Sequence, residues 1–127
     1  MRYAYPACFY REDDGRYSVE IPDLGLATFG DNLADAIYMA SDAASGRLLS
    51  ILRDGQTLPA PTDVARVHPD DESGFVSVVC ADVDPKKGDS SVKKTLTLPA
   101  WLNEAAERRS INFSAALRDA LIMRLAE

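Results

Sequence analysis

Near the start of the chain apolar and polar positions alternate. The run "RYAYPACFY" is extended and aromatic-rich, and in "YSVEIPDL" Tyr17, Val19 and Ile21 are separated by polar neighbours, the period of a strand with one buried face. "REDDGR" between them has the acids and glycine of a tight turn, so the two runs predict a β-hairpin. A short third strand over "LATFG" follows. The period then becomes helical. In "DNLADAIYMASDAASGRLLSILRDG", Leu33, Ile37, Ala40, Ala44, Leu48 and Leu52 recur at helical spacing, with Asp31 or Asn32 as a natural N-cap and Gly55 as a stop. Such a helix covers one face of the preceding sheet. "QTLPAPTDVARVHPDDESG" is a proline-punctuated connection, and the β-branched "FVSVVCADV" returns to the sheet, completing a βββαβ module.

After the polar, glycine-containing "DPKKGDSS" the pattern restarts on a smaller scale. Between Ser91 and Leu98 a predicted strand places Val92, Leu96 and Leu98 on one face and Lys93, Thr95 and Thr97 on the other. Pro99 ends it and opens a helix to Arg109, with Leu102, Ala105 and Ala106 inside. Asn112 caps a second helix, Phe113 to Ala126, whose Ala116, Leu117, Ala120, Leu121 and Leu125 form an apolar stripe. One strand and two short helices cannot bury these faces within one chain. A two-fold dimer can, with the strands paired antiparallel above four helices. The ribbon would then present two copies of Lys93, Thr95 and Thr97, and a two-stranded ribbon fits the major groove of DNA. The expected fold class is therefore α+β, with a first domain at 1–84, a linker at 85–90 and a second domain at 91–127.

Charge sharpens this division. The chain has 127 residues and a net charge of −6, and its 46% hydrophobic content is that of a folded protein. Residues 1–85 carry six basic side chains against 15 acidic, a net −9, whereas residues 86–127 carry eight against five, a net +3. Two modules with different partners are implied, the first suited to a basic one. The N-terminus has no signal-peptide core and no apolar run approaches the roughly 20 residues of a membrane span, so a cytoplasmic protein without membrane contact is expected. Cys8 and Cys80 lack metal-ligand or CxxC spacing and read as small core residues on strands, with their adjacency left open. His68, the only histidine, has no nucleophile or second ligand beside it, and Trp101 reads as helix packing. Glu12, Asp13, Asp14, Glu20, Asp23, Asp70, Asp71 and Glu72 raise a metal-dependent nuclease, but most fall in the turns "REDDG" and "HPDDES". The expectation is no enzyme, no cofactor and no metal.

Strand, proline, helix, capped turn and helix in this order resemble a ribbon-helix-helix DNA-binding domain. The segments "GRYSVEIPDL", "GDNLADAI" and "DGQTLPAPT" resemble in order and spacing the N-terminal domain of HicB-type antitoxins, and "VKKTLTLPAWLNEAAERRSINFSAALRDAL" resembles the ribbon-helix-helix version of their C-terminal domain. The family's "PDLPG" turn is "PDLGLATFG" here. The resemblance implies a partial ribonuclease-H-like domain that blocks a small basic HicA-type ribonuclease toxin, and a dimer, able to pair further into a tetramer, that represses its operon at operator DNA. By position it implies base reading by Lys93, Thr95 and Thr97, and phosphate binding at Asn112, Phe113 and Ser114. Lys86, Lys87, Arg108 and Arg109 are candidates for further phosphate contacts, and Ile21, Pro22, Asp23 and Leu24 for the toxin. A different class also fits the sequence: a free-standing ribbon-helix-helix regulator whose first domain senses a small ligand.

Overall fold

A computed structural model describes residues 1–83 and 91–127. The sequence-predicted linker 85–90, with Lys86 and Lys87, lies outside the described residues. Strands β1 (Arg2–Arg11), β2 (Tyr17–Ile21), β3 (Leu26–Gly30) and β4 (Gly74–Asp82) form one antiparallel sheet in the order β3-β2-β1-β4, and helix α1 (Leu33–Arg53) lies between β3 and β4 in sequence. This is the expected βββαβ order.

Register decides which side chains meet α1. Phe9 of β1 is opposite Val19 and Phe75, and Tyr5 is opposite Val79. Tyr5, Ala7 and Phe9 of β1 therefore share a face with Val19, Ile21, Val79 and Ala81, and these residues are buried together with Ala36, Ala40, Ala44, Leu48 and Leu52 of α1. Each large side chain so removed from water contributes about 1.5–3 kcal/mol. The polar end of Tyr5 is accommodated as well, its hydroxyl donating to the Pro59 carbonyl at 2.8 Å. Burial pushes that phenol's pKa up, with Tyr3 and Asp23 nearby adding to the shift.

The inner face of α1 is the expected one at Ala40, Ala44, Leu48 and Leu52, but it departs from the expectation in the first turns. Leu33 and Ile37 were expected inside but are 39% and 44% exposed, and Ala36 takes the inner place. The reason is close approach at the helix start: Gly30, which ends β3, abuts the backbone of Ala36, and a bulkier inner residue would hold the helix off. Asn32, not Asp31, is the N-cap, its Oδ1 accepting from the Asp35 amide at 2.9 Å, while the Asp35 carboxylate accepts from the Asp31 amide. The turn between β2 and β3 is a single 3-10 turn, Pro22–Leu24, closed by Gly25 at φ 61°, where glycine replaces the proline of the family pattern without steric cost.

The cysteines need one correction. Cys8 is buried on the face away from α1, but Cys80 is exposed and is no core residue. Cys80 lies opposite Ala4 and Cys8 opposite Val76, so the two are separated by roughly 13 Å along the ladder.

In the C-terminal part, α2 (Ala100–Arg108) and α3 (Phe113–Ala126) fall where the sequence puts them, but residues 91–98 form no strand in the single chain. A ribbon strand has no ladder until a second strand supplies it, and every residue from 91 to 100 is exposed. Neither helix has a fully buried residue. One side of α3, with Ile122 and Ala126, packs against the core cluster beneath α1. The expected stripe is on the other side, with Leu117, Leu121 and Leu125 39–53% exposed.

Candidate functional site

The candidate DNA-contacting residues among the described residues are all on the surface. Lys93, Thr95 and Thr97 are exposed in the extended segment before α2. Arg108 closes α2 and Arg109 caps it, and Ser110 at φ 55° then reverses the chain in the left-handed region, unusual for a residue with a side chain. Asn112 starts α3, its Oδ1 accepting from the Ala115 amide at 3.1 Å. That bond satisfies one of the free amides of the first turn. Phe113 and Ser114 are exposed beside it. The apolar positions interleaved with the readers are equally uncovered, with Val92 89%, Leu96 54% and Leu98 45% exposed. An unpaired strand exposes both of its faces, so one chain alone has no reading face distinct from a packing face.

The residues proposed for toxin contact are placed differently. Ile21 and Leu24 are 1% and 3% exposed within the core. Both carboxylate oxygens of Asp23 are engaged by Thr62, one by its hydroxyl at 2.6 Å and the other by its amide at 2.8 Å, which ties the long connection to the β2–β3 turn. Pro22 alone of the four is exposed.

Of the eight acids singled out in the sequence, Glu12, Glu20, Asp70 and Asp71 come together at the hairpin end of the sheet. Even-numbered residues of β1 and β2 point away from α1, and among them Tyr10, Ser18 and Glu20 line an open depression of about 280 Å³. Glu12 of the hairpin and Asp70 and Asp71 of the connection complete its rim, together with the one cation, Arg11. Two bonds hold this arrangement. The Asp70 amide donates to the Tyr10 hydroxyl at 2.8 Å, and the Ser18 hydroxyl donates to Glu12 at 2.9 Å. Hydrogen bonds from the Ser73 hydroxyl and amide hold the Asp71 carboxyl below its usual range. Glu20 and Asp70 have no ion pair among the described residues. In sequence Glu12 and Asp70 belong to two separate turns, and only the period-two parity of β1 and β2 hinted at a shared face.

No group of His, Cys, Asp and Glu among the described residues is arranged to hold a metal ion, and no described helix is long and apolar enough to cross a membrane.

Comparison with known proteins adds to this geometry. The chain is 32% identical over 101 residues to an uncharacterized 14.9 kDa protein encoded in the rep-hol intergenic region of Haemophilus phage HP1, which covers 77% of this chain and 74% of that protein. Among solved structures it resembles a chain of a toxin–antitoxin complex from Streptococcus pneumoniae, at 28% identity and a TM-score of 0.59 over 98% of this chain and 99% of that one. The antitoxin HicB of Burkholderia pseudomallei has the same fold, at 19% identity and a TM-score of 0.59, covering 94% of this chain and 96% of the other. A model of the HicB-like antitoxins matches residues 5–126, nearly the whole length, and the chain thus belongs to the HicB-like antitoxin family of bacterial toxin–antitoxin systems.

Proposed function

We propose that this protein is a two-part antitoxin that acts by binding rather than catalysis. Residues 1–84, as a partial ribonuclease-H-like module, occlude the active site of a small basic HicA-type ribonuclease. Residues 91–127, as a ribbon-helix-helix dimer, repress the operon by placing a paired ribbon in the major groove. The observation that carries the second half is the unsatisfied C-terminal segment: Val92, Leu96, Leu98, Leu117, Leu121 and Leu125 are all substantially exposed in one chain, as side chains awaiting a second copy would be. The family match and the −9 charge of the first module support the first half.

In the dimer, Lys93, Thr95 and Thr97 would face the bases. The amides opening α3 at Phe113 and Ser114 would hold a phosphate, aided by the helix dipole, and Arg108 and Arg109 would touch the backbone. The test compares Thr95→Ala and Thr97→Ala with wild type on the chain's own upstream DNA and on random DNA. Each should weaken specific binding by about 1–3 kcal/mol and leave random-DNA affinity nearly unchanged. Equal losses on both DNAs would contradict base reading.

A further inference from the structure

Helix α1 covers one face of the sheet and leaves much of the other to solvent. A one-sided antiparallel sheet ordinarily turns polar residues outward. On this open face, however, Ala4, Ala27, Phe29, Val78 and Cys80 are exposed, Phe29 by 59% and Val78 by 48%. Phe29 and Val78 lie on the two outer strands, β3 and β4, roughly 14 Å apart across the sheet and, four residues out of register, roughly 13 Å along it, so these apolar residues bracket the face on a diagonal. Glu20 stands between them, paired across β2–β3 with Ala27 and across β1–β2 with Cys8. The depression rimmed by Glu12, Asp70 and Asp71 adjoins it at the hairpin end.

Charge selects the occupant. A second copy of this chain would bring an N-terminal module of net −9 against another of net −9, and a nucleic acid would bring phosphates against the same carboxylates. Glu20 and Asp70, without ion pairs among the described residues, are free to meet a cation. We propose that the sheet face opposite α1 is the docking surface for the basic toxin, which closes its apolar area over Phe29 and Val78 and inserts a lysine or arginine between Glu20 and Asp70. This rests on the antitoxin reading and gives it a location, away from the core residues Ile21 and Leu24 and from Asp23, whose carboxylate Thr62 engages.

The test begins with the wild-type full chain, tagged and recovered from its native host, and with the small basic protein that accompanies it. Binding of that protein is then titrated against Glu20→Lys, Phe29→Ser and the control Tyr38→Ser, which alters a 67%-exposed residue of α1 across the sheet. Because these side chains are exposed, all three variants should melt cooperatively like wild type. Glu20→Lys and Phe29→Ser should each raise Kd on the order of tenfold or more, while Tyr38→Ser changes it less than about twofold. Recovery of no small basic protein would overturn the antitoxin reading itself. Recovery of one that Glu20→Lys and Phe29→Ser bind as wild type does would leave that reading standing and refute this face. A fall in the mass of the free chain on Phe29→Ser would reassign the surface to contact between copies.

Discussion

Of the described glycines, Gly30 has the least room for a side chain. A Cβ there would lie 2.2 Å from the Ala36 nitrogen and 2.5 Å from its Cα, and backbone cannot step aside as a flexible side chain can. Gly30→Ala is therefore expected to destabilise the protein by about 1–3 kcal/mol, seen as a lower urea midpoint at unchanged slope. Nothing in "ATFGDN" discloses this, because a glycine before an acidic cap reads simply as a turn. Asn112 was legible, since an N-cap is a local matter of one side chain and an amide three residues on. Ile21 was legible as core from its alternation with Tyr17 and Val19, at odds with its candidacy as a toxin contact, whereas Leu24 was not, because the Pro22 and Asp23 before it look like an exposed loop. The burial of Leu24 is decided by the sheet and connection that pack around that turn, not by the turn itself.

At the level of elements, strands and helices were legible wherever a period was long enough to repeat. All four strands of the sheet and all three helices occupy the expected stretches. Rotation about an axis was harder to read. The period of α1 fits two adjacent stripes, and the larger side chains favoured the one through Leu33 and Ile37, whereas contact with Gly30 favours the one through Ala36. The two stripes share Ala40, Ala44, Leu48 and Leu52, and Leu48 is fully buried. Truncating Leu48 to Ala should accordingly cost about 2–5 kcal/mol, and Ile37→Ala below about 1 kcal/mol. Chemical denaturation of the pair checks the helix's orientation, and a larger loss at Ile37 would reverse it. Residues 91–98 carry a strand's alternation without a strand, because a ladder is a property of two strands and this one has no neighbour in its own chain.

For the molecule as a whole, the charge reversal was plain in the sequence, since a count needs no geometry. The acidic patch was not, because Asp70 reaches Tyr10 only after 60 residues of chain have folded back. If a second copy covers the C-terminal apolar faces, Tm should rise with protein concentration, as mass action requires. A Tm constant over a hundredfold dilution, across the range where light scattering shows the mass to change, would remove the dimer's claim on those side chains. The two halves are also less separable than their charges imply. Because Ile122 and Ala126 pack on the N-terminal core while Leu117, Leu121 and Leu125 face outward, α3 is apolar on two sides, only one of which its own chain covers. A chimera that exchanged everything after residue 90 for the tail of another antitoxin would need a matching pair of small apolar residues in the last two turns. Without them the graft would leave part of its host's core wet whatever else it binds, so the exchange of tails among such proteins is constrained by a fit within the chain itself.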